Sequence, residues 1–111
     1  PAMPTVREVT YDLFRKHGMT RMFGNPGSTE LPMLQDFPDD FDYVLGLQEA
    51  AVVGMADGHA QVTGRPTLVN LHTAPGLGNA MGALFNAQAN HSPACWPAGE
   101  TWAACDNSPR P

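Results

Sequence analysis

The 111-residue sequence predicts an α/β fold in which a parallel sheet is flanked by helices. Short apolar runs typical of buried strands alternate along the chain with longer segments of helical character, and short turns separate them. Parallel strands need a crossover connection, usually a helix, so this alternation is typical of a parallel sheet. An apolar content of 42% and a charged content of 15% fit one domain with a modest core.

The first predicted helix lies in the segment TVREVTYDLFRKHG. Thr5 and Glu8 have the spacing of a capping box, in which each side chain accepts a hydrogen bond from the backbone of the other residue. Gly18 follows the helix and can adopt the left-handed conformation that ends it. Four apolar residues recur at helical spacing and are expected to face the core: Val6, Val9, Leu13 and Phe14.

The segment TRMFG predicts a short buried strand, and the chain then turns through Asn, Pro and Gly into a second helix. We expect this helix to begin near Ser28 or Thr29, with Ser28 as its N-cap. Glu30 falls in the first turn, where Pro32 is also tolerated. A helix N-terminus favours anions, so Ser28 can cap the helix and also help to hold a substrate carboxylate.

FDYVLGL predicts the second strand, and QEAAVVGMADGHAQVTG predicts a helix that ends at Gly64. Gly54 and Gly58 weaken an isolated helix, so we expect its backbone to pack closely against a neighbouring element. PTLVNL predicts the third strand, which the turn HTAPGLG connects to a fourth helix, NAMGALFNAQAN. Ligands of parallel α/β sheets bind at the carboxyl ends of the strands, where three of these loops lie.

Glu49 and His72 are candidate functional residues because each follows a predicted strand directly. Glu49 is either an acid favoured by the dipole of the following helix or a carboxylate held for a proton-linked bond to a ligand. His72 is either a structural histidine or a group for acid–base chemistry, since imidazole titrates in the useful range. The position of both beside the Ser28 loop favours a shared site.

Several other functions are not favoured by the sequence. The net charge of -5 and the absence of a basic run argue against nucleic-acid binding. GLGNAMG lacks the spacing of a dinucleotide-binding loop, and no residues have the spacing of a metal site. Without an apolar run long enough to span a bilayer, and with a polar start, we expect a cytoplasmic protein with no membrane partner. Cys95 and Cys105 are expected to be unpaired thiols.

Three segments, FGNPGSTELPML, LGLQEAAVVGMADGHAQ and NLHTAPGLGNAMGAL, together resemble the amino-terminal pyrimidine-binding domain of thiamine diphosphate-dependent 2-oxo acid decarboxylases. The resemblance runs from about Val6 to Pro93. The segment around Glu49 is shared across these enzymes. The combination of Ser28 and His72 is narrower, and it resembles the benzoylformate decarboxylase group rather than acetolactate synthases or pyruvate decarboxylases.

The resemblance implies a role for each candidate residue. Glu49 would hydrogen-bond the aminopyrimidine ring of thiamine diphosphate and activate it, with Pro26 and Asn79 as further cofactor contacts. Ser28 and His72 would bind the 2-oxo acid and move protons, and Gly27 would shape the loop at the substrate. The implied reaction releases carbon dioxide from an aromatic 2-oxo acid such as benzoylformate and leaves an aldehyde.

The resemblance also implies a longer enzyme. Its magnesium ion and the cofactor diphosphate are held by a carboxyl-terminal domain whose Gly-Asp-Gly motif this sequence lacks. We therefore expect residues 1–93 to be part of a pyrimidine domain that is inactive alone, from an enzyme that forms homo-oligomers. Residues 94–111 are expected to be an irregular or edge tail, with an incomplete sheet. A frame shift, a sequencing artefact or an unusual terminus would each produce this tail.

Overall fold

A computed structural model describes the backbone of residues 2–95, 97–98 and 101–102, and the side chains of residues 2–93. The helical elements are α1 (Val6–Lys16), a 3₁₀ turn (Ser28–Glu30), α2 (Leu31–Leu34), α3 (Glu49–Thr63) and α4 (Thr73–Ala89). The strands are β1 (Arg21–Asn25), β2 (Asp42–Leu45), β3 (Thr67–Leu71), β4 (Ala94–Cys95), β5 (Pro97–Ala98) and β6 (Thr101–Trp102).

The centre of the sheet is formed by three parallel strands in the order β2-β1-β3, which confirms the predicted fold class. Phe23 of β1 lies opposite Val44 of β2 and Val69 of β3. β4 and β5 add short parallel pairings to the other side of β3, and β6 pairs antiparallel with β5. All five residues of β3 are buried, as expected of a strand inside a parallel sheet.

Each face of the sheet packs against helices through its own apolar cluster. On one face, strand residues pack against α3 and α4 in a cluster of Phe23, Val52, Val53, Ala56, Val69, Leu71 and Ala80. On the other face, strand residues pack against α1 and the loop before β2 in a cluster of Tyr11, Phe14, Met19, Met22, Phe41 and Leu68. The alternation of side chains along each strand produces this division.

The α1 helix confirms its predicted caps but buries a different face from the one expected. The capping box is complete, because Thr5 N donates to Glu8 Oε2 at 2.7 Å and Glu8 N donates to Thr5 Oγ1 at 3.2 Å. Gly18 has a φ of +69°. Of the four residues predicted to face the core only Phe14 is buried, and Val6, Val9 and Leu13 are exposed. The helix carries apolar residues on two faces, and tertiary packing selects the face of Tyr11 and Phe14.

Two further helix expectations are corrected. The second helix begins as the 3₁₀ turn, whose N-cap is Gly27, so Ser28 is its exposed first residue and not the cap. The fourth helix begins at Thr73, so the predicted turn HTAPGLG is largely helical. Pro75 fits the first turn of α4 because an N–H at that position would have no partner within the helix.

The expectation that Gly54 and Gly58 pack closely is wrong within the part of the chain that the structure describes. Both are exposed, and a methyl group added to either would meet no described atom within 4 Å. The α3 helix buries the opposite face, which carries Val53, Ala56 and Ala60.

The tail beyond residue 93 is described only in its short strands. Pro97 is the first residue of β5, a strand position that tolerates its missing N–H. The predicted state of the cysteines lies outside the described residues, because neither Cys105 nor the side chain of Cys95 is described. Among the described helices, none is long and apolar enough to cross a membrane.

The two tyrosines of the chain, Tyr11 and Tyr43, generate a prediction about alkaline pH. Burial raises the pKa of both phenols, to about 12 for Tyr43 against an ordinary value of 10.0. Because the unfolded chain then releases these protons first, the contribution of the two tyrosines to stability should be constant well below pH 10 and fall as the pH rises from about 10 towards 12.

Tyrosinate absorbance and denaturant unfolding across this pH range check the prediction. In Tyr43→Phe, the later-titrating signal should disappear and the alkaline loss of stability should become smaller. A tyrosine of the folded wild-type chain that titrates near pH 10 and is absent from Tyr43→Phe would contradict the prediction.

Candidate functional site

The candidate site residues lie at the carboxyl edge of the central sheet. Gly24 lies opposite Leu45 at the ends of β1 and β2, and Asn25 lies opposite Leu71 at the ends of β1 and β3. The loops that follow these strands therefore leave the sheet at the same edge. The structure arranges their polar side chains in two groups, the Glu49 cluster (Asn25, Glu49, Gly76 and Asn79) and the His72 cluster (Gly27, Thr29, Glu30 and His72).

The Glu49 cluster presents a carboxylate between two amide groups. Glu49 is the half-buried first residue of α3, and its Oε1 accepts from Asn25 Nδ2 at 3.3 Å. Its Oε2 accepts from Asn79 Nδ2 of α4 at 3.4 Å. Both bonds are longer than typical N–H···O bonds, so the carboxylate keeps acceptor capacity for another partner.

The Glu49 carboxylate does not cap the helix that it begins. Gln48 is the N-cap of α3, and its Oε1 accepts from Ala51 N at 3.0 Å. Glu49 is therefore not the cap of its own helix. Gly76 is buried beside it in the first turn of α4, where a Cβ would lie 3.3 Å from Glu49 Oε1. A residue without a side chain at this position leaves the carboxylate accessible.

The His72 cluster holds an imidazole against a buried carboxylate. His72 follows β3 as the N-cap of α4, and its Nδ1 lies 2.9 Å from Glu30 Oε2 and 3.3 Å from Thr29 Oγ1. The Glu30 side chain is 8% exposed and that of His72 is 35% exposed. Gly27 N donates to Glu30 Oε2 at 2.8 Å, and Thr29 Oγ1 donates to Glu30 Oε1 at 2.7 Å.

Hydrogen bonds keep Glu30 ionised in spite of its burial. Burial alone would raise the pKa of this carboxyl. The bonds from Thr29, Gly27 and His72 outweigh that effect, and the pKa of Glu30 lies below its ordinary value. The Glu30 carboxylate is thus a fixed negative charge in contact with Nδ1 of the His72 imidazole.

Gly27 must be glycine for His72 to lie where it does. A Cβ on Gly27 would overlap three atoms of the imidazole ring. The overlapped atoms include Nδ1, so the ring could make room only by changing its contact with Glu30 Oε2. Gly24 is constrained in a similar way, because a Cβ there would overlap the phenol of Tyr43.

One loop connects the two clusters. Asn25 contacts Glu49, while Gly27 and Thr29 contact Glu30 and His72. Pro26 lies half-buried between these contacts, and the exposed Ser28 lies between Gly27 and Thr29. The structure therefore brings the predicted residues Ser28, Glu49 and His72 to one edge, as parts of two adjoining groups rather than as a triad in mutual contact.

Sequence reasoning missed the part played by Glu30. The sequence places this residue in the first turn of a helix, where an acid is ordinary. Its burial against His72 depends on a contact between residues 42 positions apart, which local patterns do not show. The direct bond between Asn25 and Glu49 is likewise a long-range contact.

The described residues also form a cavity away from this edge, and they form no metal-binding group. A cavity of about 430 Å³ opens at the amino ends of the strands, where Arg21, Asp42 and Arg65 line it. Among the described residues, no group of three or more histidine, cysteine or acidic side chains could hold a metal ion.

Comparison with known proteins identifies the family to which this chain belongs. Residues 4–100 match the family described as "Thiamine pyrophosphate enzyme, N-terminal TPP binding domain". The benzoylformate decarboxylase of Pseudomonas aeruginosa is 60% identical over 98 residues, which are 88% of this chain and 19% of that protein.

Solved structures agree with the sequence match. The crystal structure of benzoylformate decarboxylase from Polynucleobacter necessarius is 55% identical, with a TM-score of 0.87, and covers 89% of this chain. The thiamine diphosphate-dependent 4-hydroxybenzoylformate decarboxylase of Rhodococcus jostii is 61% identical, with a TM-score of 0.85 over 88% of this chain.

The chain spans 19% of the length of each of these proteins. The matched residues include all three central strands, the α3 and α4 helices, and both polar clusters. The chain therefore belongs to the thiamine pyrophosphate enzymes and carries their N-terminal cofactor-binding domain.

Proposed function

We propose that this chain is the pyrimidine-binding part of a decarboxylase that converts an aromatic 2-oxo acid, benzoylformate, to an aldehyde and carbon dioxide. The observation that carries the proposal is the Glu49 carboxylate, presented between two amides at the carboxyl edge of a parallel sheet. The identity of 60% to a benzoylformate decarboxylase supports the choice of substrate class.

The Glu49 cluster fits the aminopyrimidine ring of thiamine diphosphate. Its carboxylate has spare acceptor capacity for a ring nitrogen, and Gly76 places no side chain beside Oε1. Pro26 and Asn79 would make further contacts to the cofactor. When bound, the cofactor supplies the stabilisation of the carbanion that decarboxylation leaves. Glu49 would orient the ring and hold a proton between its carboxylate and the ring nitrogen.

The His72 cluster fits the substrate. Ser28 is exposed at the start of the 3₁₀ turn, where its hydroxyl can donate to a substrate carboxylate. His72 would bind the substrate and transfer a proton through its imidazole. Gly27 would shape the loop at the substrate, because its lack of a side chain leaves room for the imidazole of His72.

The chain supplies only one part of such an enzyme. It spans 19% of the length of the benzoylformate decarboxylases that it matches. We infer that magnesium and the cofactor diphosphate are held outside this chain, and that the complete enzyme is a homo-oligomer. The division at residue 93 and the cytoplasmic location remain predictions. The alternatives are an acetolactate synthase-like enzyme and a non-catalytic chain that docks on a full-length subunit.

We predict that the 111-residue chain alone has no decarboxylase activity. Incubation with benzoylformate, thiamine diphosphate and magnesium should give no benzaldehyde, because the groups that hold the diphosphate are missing. The Pseudomonas aeruginosa benzoylformate decarboxylase, assayed in parallel, is the positive control. Turnover by the chain alone would contradict the prediction. Co-purification with a full-length subunit, without any gain in turnover, would favour the docking alternative.

A further prediction concerns Glu49 in a chimeric enzyme, defined as the Pseudomonas aeruginosa decarboxylase with residues 4–93 of this chain in place of its matching segment. The chimeric enzyme should be active, and Glu49→Gln should lower kcat by about 10²–10⁴-fold, the range for loss of a group that holds a transferring proton. Steady-state kinetics check this result.

The matched control is Glu8→Gln, which neutralises an exposed carboxylate and preserves the capping box of α1. Its kinetics should equal those of the chimeric enzyme. Unchanged turnover in Glu49→Gln would refute the assigned role. A panel of 2-oxo acids in which pyruvate is preferred to benzoylformate would favour the acetolactate synthase-like alternative.

A further inference from the structure

The geometry points to Glu30 as a positioning residue that fixes the tautomer of His72, so that Nδ1 carries a proton and Nε2 is the atom that exchanges protons with the substrate. This inference rests on the proposed role of His72 in proton transfer. It adds a residue to which the sequence assigns only a place in a helix turn.

Two groups face Nδ1 of His72, and both are hydrogen-bond acceptors. Glu30 Oε2 lies 2.9 Å from Nδ1 and, as a carboxylate oxygen, can only accept. Thr29 Oγ1 lies 3.3 Å from Nδ1 and has committed its proton to Glu30 Oε1 at 2.7 Å. Both neighbours of Nδ1 are therefore acceptors, and Nδ1 must be the donor. In the neutral ring the lone pair is then on Nε2.

The Glu30 carboxylate is held rigidly by its own hydrogen-bond donors. Its side chain is 8% exposed and receives bonds from the backbone of Gly27 and from Thr29 in addition to that from His72. These donors hold both oxygens in place and keep the carboxylate charged. A fixed buried carboxylate holds an imidazole in one tautomer and one orientation, as carboxylates do for the histidines of other catalytic sites.

Gly27 provides the space that the imidazole occupies. A Cβ at this position would overlap the ring, including Nδ1, so the glycine permits the orientation in which Nδ1 meets Glu30. The backbone N–H of Gly27 and the imidazole Nδ1 both contact Glu30 Oε2, so the loop that carries Ser28 also holds the carboxylate and the ring together. The partial exposure of the His72 side chain, 35%, leaves the ring accessible for a substrate.

The position of the proton is tested directly in the chimeric enzyme. Nitrogen-15 solid-state NMR of histidine-labelled enzyme reports which ring nitrogen is protonated in the neutral form, and His72→Gln assigns the signal of His72. We expect the proton on Nδ1. A proton on Nε2 would overturn the inference. This measurement does not depend on turnover, so its outcome is separate from that of the proposed function.

The effect on catalysis is tested by a double-mutant cycle. Glu30→Gln keeps the shape of the side chain and removes its charge, and we expect kcat/KM to fall by about tenfold to a hundredfold, as for other partners that orient a functional histidine. In a His72→Ala background the same substitution should change kcat/KM by less than about threefold, because Glu30 acts through His72. Equal losses in both backgrounds would overturn the inference.

Two further variants separate positioning from a general effect on folding. Glu8→Gln also neutralises a glutamate at the third residue of a helix, but Glu8 is exposed, so kcat/KM should not change. Gly27→Ala should displace the imidazole, lower kcat/KM and abolish the Nδ1–H signal of His72. In the His72→Ala background, Gly27→Ala should have little further effect. Retention of the Nδ1–H signal and of full activity in Gly27→Ala would contradict the inference.

Discussion

The parallel pairing of β1 with both β2 and β3 is the constraint on which the site depends. The backbone ladders fix Gly24 opposite Leu45 and Asn25 opposite Leu71, so the chain leaves these strands at one edge. Successive side chains of a strand point to opposite faces. Asn25 consequently reaches Glu49 on the face of α3 and α4, while the loop that follows contributes Gly27 and Thr29 to the other cluster. A shift of one residue in this register would exchange the two faces.

The two glutamates of the site are held in different ways, and the difference matches their proposed roles. Glu30 is almost fully buried, and its oxygens accept from Gly27, Thr29 and His72 at 2.7–2.9 Å. Those bonds offset the cost of burying a charge. Glu49 is half-buried and accepts two bonds of 3.3 and 3.4 Å. One carboxylate is thus saturated and suited to support a neighbour, and the other retains capacity for a ligand.

The aromatic residues that pack between α1 and the loop before β2 also support the segment that carries Glu30. Tyr11 packs edge-on against Phe41 with ring centroids 5.0 Å apart, and its hydroxyl donates to the carbonyl of Met33 at 2.8 Å. That bond ties α1 to α2, the helix that continues directly from the 3₁₀ turn of Glu30. The packing of Tyr11 and its bond to Met33 therefore help to hold the segment from which Glu30 contacts the imidazole.

Local sequence patterns were sufficient to predict the fold class, the capping box of α1, the three strands and the edge at which Ser28, Glu49 and His72 lie. These features depend on local patterns of apolar, capping and turn residues, which act over a few positions. Tertiary structure decided that Tyr11 and Phe14, rather than Val6, Val9 and Leu13, face the core. The same long-range packing places the start of α4 at Thr73 and brings Glu30 into contact with Nδ1 of His72. Those outcomes depend on contacts between distant parts of the chain, whose geometry follows from sheet register and packing and not from neighbours in the sequence.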